Sequence, residues 1–114
     1  MEKKQTPNQE ELEKQVQELQ ILEQNFQSLM MQKQTFQIEL NETKTAVDEV
    51  EKSKDDVFKV LGQVMVKADK KQLKKELSEK KDLLSLRMKS IEKQEKEFRA
   101  NIERLRSELV NHLN

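Results

Sequence analysis

The chain has 114 residues, of which 39% are charged and 33% hydrophobic, and its formal net charge is zero. One glycine and one proline provide too few turn residues for a compact globule, and the lack of cysteine excludes disulfides and thiolate metal sites. This composition is typical of long helices or a coiled coil. Because we see neither a long apolar run nor a signal peptide, we expect a cytoplasmic protein that spans no membrane.

The first predicted helix covers about residues 8–53. Thr6 can cap its N-terminus, Pro7 suits the first helical position, and Gln9 would complete a capping box. Apolar positions then recur in steps of three and four residues, with one additional three-residue step after Leu19. The spacing predicts a coiled-coil helix with one stammer. Its seam consists of Leu12, Val16, Leu19, Leu22, Phe26, Leu29, Lys33, Phe36, Leu40, Thr43, Val47 and Val50.

The pattern changes over residues 57–67, which contain the only glycine. β-Branched residues favour strands here, and Gly62 followed by Gln63 suits a two-residue turn whose first residue has a positive φ. We therefore predict a β-hairpin over 57–67, the alternative being a helix that continues through Gly62. Seven of its eleven positions are apolar, on both faces, so this hairpin would be incomplete within one chain. We predict that it is an assembly element.

The second predicted helix covers about residues 69–113. Asp69 can cap it, with Gln72 as the reciprocal partner. Its seam has heptad spacing and consists of Leu73, Leu77, Lys80, Leu84, Arg87, Ile91, Gln94, Phe98, Ile102, Leu105 and Leu109. In an antiparallel arrangement the apolar positions of the two seams match from end to end, and Lys33 faces Arg87 in a polar layer. The two helices are therefore predicted to pack against each other within one chain.

We expect one domain over residues 1–114, with a helix within 1–54, the hairpin element in 55–68 and a helix within 69–114. The first of these segments carries a net charge of −4 and the last a net charge of +4, which favours their pairing weakly. The predicted fold class is all-α with a small β-hairpin, the two helices forming an antiparallel coiled coil.

A terminal cluster of apolar residues is predicted where the two ends of the chain meet. These residues either close the coiled coil or provide an exposed binding surface, and Leu22, Val110 and Leu113 fit the seam less well than the others. The terminal cluster consists of Leu12, Val16, Leu19, Leu22, Leu105, Leu109, Val110 and Leu113.

No motif of this sequence indicates an enzyme, a cofactor or a metal site. His112, the only histidine, has no apparent partner for general-base catalysis, and there is no glycine-rich phosphate loop. A run of lysines between Lys70 and Lys81 lacks aromatic neighbours and is interrupted by acidic residues, so we do not expect nucleic-acid binding.

The hairpin segment from Val57 to Lys67 resembles the β-class subunit of prefoldin. The second helix extends the resemblance through Leu84-Ser85-Leu86-Arg87 and Glu92-Lys93-Gln94-Glu95. Gln63 follows the glycine where many eukaryotic sixth-type subunits have proline, so the chain is most similar to the archaeal type.

This resemblance implies a hexamer of two α-class and four β-class subunits, whose hairpins form β-barrels. It also implies an ATP-independent holdase that binds unfolded polypeptides at coiled-coil tips and transfers them to a group II chaperonin. Client contact would then fall to the terminal cluster. Assembly would fall to Val57, Phe58, Val60, Leu61, Gly62, Val64, Met65 and Val66. A structural coiled-coil tether or adaptor is the alternative function.

Overall fold

The computed structural model describes residues 9–113, in which two long helices flank a two-stranded antiparallel sheet. The elements in chain order are helix α1 (Gln9–Lys52), strand β1 (Val57–Leu61), strand β2 (Val64–Ala68) and helix α2 (Lys70–Leu113). The predicted fold class is confirmed. The cap predicted at Thr6 and Pro7 lies outside the described residues. Within residues 9–113, neither helix contains an apolar stretch that could cross a membrane.

The buried positions of α1 follow a regular heptad pattern without the predicted stammer. Gln15 is half-buried between Leu12 and Leu19, whereas Val16 is 42% exposed. With Gln15 as the seam residue, the steps alternate between three and four residues from Leu12 to Val50. The placement of Val16 in the seam was therefore wrong, because helical spacing and not side-chain polarity determines which residue faces α2.

The seam of α2 passes through Met88 and not through Arg87. Met88 is 5% exposed and packs with Leu40 and Leu84, and Phe36 lies against this cluster. Arg87 is exposed, and its guanidinium group lies 5.7 Å from the centroid of the Phe36 ring. A four-residue step from Leu84 thus brings the apolar side chain into the core and leaves the cation outside.

The predicted polar layer between Lys33 and Arg87 is therefore a second error. Lys80 and Gln94 were also assigned to the seam, yet both are exposed, and in each case the following residue is half-buried instead. The errors at Lys80, Arg87 and Gln94 have the same cause. At each of them the predicted seam residue lies one residue before the residue that faces α1.

Thr43 is the one seam position of α1 with a buried hydroxyl group. Its side chain is 4% exposed, and its Oγ1 donates a hydrogen bond of 2.8 Å to the carbonyl oxygen of Glu39. Because this bond lies within one helical turn, the hydroxyl is satisfied without a partner on α2.

The chain forms two packed units, which we name by their content. The terminal unit contains, within the described chain, residues 9–32 and 91–113, and the hairpin unit contains residues 33–90. In the terminal unit, Arg106 Nη2 lies 2.9 Å from Glu23 Oε1. Residues near the start of α1 thus contact residues near the end of α2.

The hairpin unit has the same antiparallel arrangement. Lys80 Nζ lies 3.3 Å from Glu39 Oε1, and Lys74 Nζ lies 2.9 Å from Glu51 Oε1. Moving forward along α1 therefore means moving backward along α2. The antiparallel pairing predicted from the matching seams is confirmed within each unit.

The turn of the hairpin depends on Gly62. Strand pairing runs from Val57 opposite Ala68 to Leu61 opposite Val64, which leaves Gly62 and Gln63 as a two-residue loop. Gly62 has a φ of +62°, and among residues 9–113 no non-glycine residue has a positive φ. A positive φ at the first central position alone is the pattern of a type II′ turn, which favours glycine there. The predicted hairpin is confirmed, and the alternative of a continuous helix is excluded.

Helix α2 begins as predicted, with Asp69 at its N-cap position. The carbonyl oxygen of Asp69 accepts a hydrogen bond of 2.9 Å from the Leu73 amide. The side-chain nitrogen of Gln72 donates to Glu76 Oε1 at 3.5 Å. The predicted capping box, in which the Gln72 side-chain oxygen accepts from the Asp69 amide, stays a prediction.

Candidate functional site

The outer face of the hairpin is an exposed apolar surface. Residues that pair across two antiparallel strands point to the same face, and this register puts Phe58 and Val60 on one face with Met65 and Lys67. The three apolar side chains of this outer face are exposed, Met65 by 68%. Lys67 is held beside Asp56, with its Nζ 3.4 Å from Asp56 Oδ2. An apolar surface of this kind is typical of a protein contact.

The opposite, inner face of the hairpin is covered only near the helices. Val57 is buried there, and Ala68 is half-buried. Leu61, Val64 and Val66, which lie closer to the turn, are exposed. Half of the inner face therefore adds to the apolar surface of the hairpin.

The sheet of the described chain has only two strands, so each strand has one edge without a backbone partner. Unpaired edges with apolar faces favour the addition of further strands. The eight residues predicted to mediate assembly thus divide into one buried residue, Val57, the turn residue Gly62, and six exposed apolar residues.

Polar contacts hold the base of the hairpin against the helices. Lys59 on β1 and Glu76 on α2 form an ion pair, with 2.7 Å between Nζ and Oε2. The pKa of Glu76 lies below its ordinary value, first because Lys59 donates a hydrogen bond to the carboxylate and second because Gln72 does so. Lys70 Nζ, at the start of α2, donates to the carbonyl oxygen of Ser53, just after the end of α1.

The terminal cluster is divided by the structure into a buried and an exposed group. Leu105 and Leu109 are buried, and Leu12, Leu19 and Leu22 are half-buried in the seam. The exposed members are Val16, Val110 and Leu113, the last by 74%. Leu22 therefore fits the seam better than expected, whereas Val110 and Leu113 lie outside it as predicted. The exposed members are therefore the most accessible to another protein in this conformation.

An open groove of about 670 Å³ lies between the helices of the terminal unit. Phe26, Ala100 and Ile102 line it together with charged residues such as Glu103. The groove is also lined by the ion pair between Glu23 and Arg106. Arg99 lines it as well, with its guanidinium carbon 4.8 Å from the centroid of the Phe26 ring. Apolar and charged groups thus both line this groove.

Several exposed apolar residues were not identified from the sequence. All of them lie outside the heptad seams, on helix faces that are otherwise polar. The heptad spacing alone therefore does not identify them, whereas an apolar residue on a polar helix face would have been a usable signal. They are Ile21, Met31, Ile38, Leu83 and Leu86.

His112 is exposed in the last turn of α2. Among the residues that the structure describes, no group of three or more His, Asp or Glu side chains is arranged to hold a metal ion.

Comparison with protein families gives one match that covers most of the chain. Residues 10–114 match the family described as "Prefoldin subunit". A protein named prefoldin subunit beta from Methanothrix thermoacetophila is 41% identical over 66 residues, which are 56% of this chain and 55% of that protein. Another of the same name, from Sulfurisphaera tokodaii, is 40% identical over 57 residues, which are 50% of this chain and 45% of that protein. The chain spans about half of the length of the curated relatives that it matches.

A solved structure is similar over a larger share of the chain. The crystal structure of the prefoldin beta subunit from Thermococcus strain KS-1 has a TM-score of 0.84 and 31% sequence identity. The similarity covers 98% of this chain and 98% of that chain. The arrangement of two long helices around a two-stranded hairpin is therefore shared with that structure.

Proposed function

Since this chain belongs to the prefoldin family, we propose that it is a chaperone subunit of an ATP-independent holdase. The assembled holdase binds unfolded polypeptides and transfers them to a group II chaperonin. One observation carries the proposal. The chain exposes apolar surface at a hairpin with unpaired edges and, separately, at the ends of its helices. A cytoplasmic location for this assembly stays a prediction.

Assembly is assigned to the hairpin. When strands of other chains are added, the exposed side chains of Phe58, Val60 and Met65 become buried. The free edges of the two strands then gain backbone hydrogen-bond partners. We propose that the partners are prefoldin subunits, two of the α class for every four of this type. The β-barrels formed by the hairpins then join the chains.

Client contact is assigned to the exposed part of the terminal cluster. Val16, Val110 and Leu113 provide apolar contacts that need no shaped pocket and therefore discriminate little among nonnative chains. Leu105 and Leu109 are buried against α1, so we assign them to the stability of the helix pair.

Weak contacts of this kind become effective through repetition. When several subunits present the same surface, one unfolded chain is held at several points, and the effective concentration at each further point is high. Release then requires no nucleotide, because a chaperonin that competes for the same apolar segments displaces the contacts one at a time.

An aggregation assay with a chemically denatured client tests the proposal. The assembled wild-type protein is expected to suppress client aggregation, and the double variant Val110→Ser/Leu113→Ser to lose most of this suppression while keeping its oligomeric mass. The matched control is Leu86→Ser, because Leu86 is a similarly exposed apolar residue of α2 that belongs to the hairpin unit. It is expected to behave as wild type.

Two results would contradict the proposal. If the assembled wild-type protein does not suppress aggregation, the chain is not a holdase subunit and the tether becomes the better hypothesis. If Val110→Ser/Leu113→Ser and Leu86→Ser suppress aggregation equally well, client contact does not involve the end of α2.

A further inference from the structure

The direction of the hairpin depends on few contacts. Of the ten strand residues only Val57 is buried, and Lys59 and Ala68 are half-buried. Two strands alone are too small to hold a fixed position through their own packing. The contacts at the base of the hairpin therefore determine how it is held against the helices.

Apolar packing does not fill the space between the hairpin and α2. An open cleft of about 230 Å³ lies there, lined by Leu61 and Val66 of the strands and by Leu73 of α2. Lys59 and Glu76 line the same cleft. Because an unfilled cleft lacks the dispersion contacts of a packed core, it offers little resistance to a change in the angle of the hairpin.

The ion pair between Lys59 and Glu76 spans this cleft at the middle of β1. Its two atoms are 2.7 Å apart, and both side chains are less than half exposed. Glu76 Oε1 also accepts a long hydrogen bond of 3.5 Å from Gln72, one turn earlier on α2, so the carboxylate has a second, weaker polar contact on the helix side. An ion pair that belongs to a small network holds its geometry better than an isolated pair of surface charges.

We propose that the Lys59–Glu76 ion pair is a positioning contact, which fixes the angle of the hairpin and thereby favours its assembly with other chains. The inference rests on the proposed assembly role of the hairpin. A hairpin already held at the angle it has in the oligomer loses less conformational freedom on association, so that association is tighter. Lys59 and Glu76 act through the exposed apolar residues of the hairpin and not through contacts of their own.

A charge exchange tests this role. The variants are Lys59→Glu, Glu76→Lys, and the double variant that carries both substitutions. The dissociation constant for assembly with a prefoldin α-class subunit is measured by sedimentation, together with the helix content and unfolding temperature of each unassembled chain. Each single variant is expected to weaken assembly about five- to ten-fold, because like charges then face each other across the cleft. The double variant is expected to restore most of the lost affinity.

The outcomes separate positioning from the other roles these residues could have. If the single variants assemble as wild type does, the ion pair has no positioning role. If the double variant assembles as weakly as the single variants, at least one of the two residues contacts a neighbouring chain directly, and the inference is also wrong. A small fall in the unfolding temperature of the single variants is expected, because the ion pair also contributes to stability. If helix content falls in parallel with assembly, the pair contributes to folding and not to position. A wild-type chain that does not assemble would overturn both this inference and the proposed function.

Discussion

Arg99 on α2 stacks on Phe26 of α1, with 4.8 Å between the guanidinium carbon and the centroid of the ring. The Nε of the same arginine donates to Glu95 Oε2 at 3.4 Å, so the cation is held between a carboxylate and an aromatic ring. The half-buried Phe26 ring is thus partly covered by a charged group. A cation over an aromatic face at an exposed site contributes about 0.5–1 kcal/mol.

We expect Arg99→Ala to lower the free energy of unfolding by about 0.5–1 kcal/mol, because the stacking on Phe26 is lost. Urea unfolding followed by circular dichroism at fixed chain concentration measures this difference. The control is Arg104→Ala, whose ion pair with Glu108 lies within one helix and is exposed. If both variants lose the same stability, the stacking contributes nothing beyond an ordinary surface charge.

Leu84 is expected to be among the most sensitive positions of the hairpin unit. It is 3% exposed and packs between Leu40 and Met88, so Leu84→Ala removes buried methyl groups and leaves a cavity. We expect a loss of about 2–4 kcal/mol in the free energy of unfolding. Leu86→Ala makes the same chemical change two residues away at a side chain that is 63% exposed, and we expect less than about 0.5 kcal/mol. Equal losses would show that α2 does not pack in the register described.

Gln15 provides a test of the corrected seam of α1. Its Oε1 is buried and has no hydrogen-bond partner among the described residues. We expect Gln15→Leu to stabilise the terminal unit by about 1 kcal/mol, because an unsatisfied polar atom is replaced by an apolar group. Hydrogen exchange of amides in residues 9–19 is expected to slow accordingly.

The neighbouring substitution Val16→Leu serves as the control, since Val16 is exposed and its enlargement buries little additional surface. If exchange slows in Val16→Leu and does not change in Gln15→Leu, then Val16 and not Gln15 faces α2, and the seam predicted from the sequence, with its stammer, is correct.

The pH dependence of stability is expected to involve two carboxylates. The pKa of Glu51 is lowered chiefly by a hydrogen bond from Lys74, and that of Glu76 chiefly by one from Lys59. A carboxylate with a lowered pKa in the folded state stabilises the fold above its ordinary value of 4.5, and this contribution is lost as the pH falls through the lowered pKa.

Replacing both groups, as Glu51→Gln/Glu76→Gln, is therefore expected to lower the unfolding temperature slightly at about pH 7, and this difference is expected to shrink as the pH falls below 4.5. Thermal unfolding of both proteins across this range gives the difference directly. A difference that stays constant with pH would mean that neither carboxylate is stabilised by its lysine partner.

Much of this fold was predictable because it depends on periodicity. The heptad spacing identified both helices and their antiparallel pairing, and Gly62 identified the turn, since only one residue of the chain suits a positive φ so well. The errors lie where polarity and spacing disagree. Gln15 occupies the seam position that had been assigned to Val16, because the apolar residue was preferred over the regular spacing. Met88 occupies the position that had been assigned to Arg87, because a three-residue step from Leu84 was assumed where the helix has a four-residue step.

The candidate surfaces were predictable only in part. The heptad spacing placed Leu105 in the seam and Val110 outside it, but it misplaced Val16, which is exposed. A displacement of one residue turns a side chain by about 100° around the helix. Cross-element contacts such as Lys59 with Glu76 were beyond the sequence, because lysine and glutamate are abundant and each has many possible partners. Their pairing became visible only when strand and helix were placed together.

The most direct test of the account is native mass spectrometry of this chain mixed with a prefoldin α-class subunit. The central claim is that other chains cover the exposed faces of the hairpin. The wild-type chain is expected to form a six-chain complex with four copies of this subunit, and the exposed control Leu86→Asp to form the same complex. Phe58→Asp and Val64→Asp are expected to remain unassembled while retaining their helix content. A wild-type chain that stays monomeric, or a Phe58→Asp variant that assembles as wild type does, would contradict the claim.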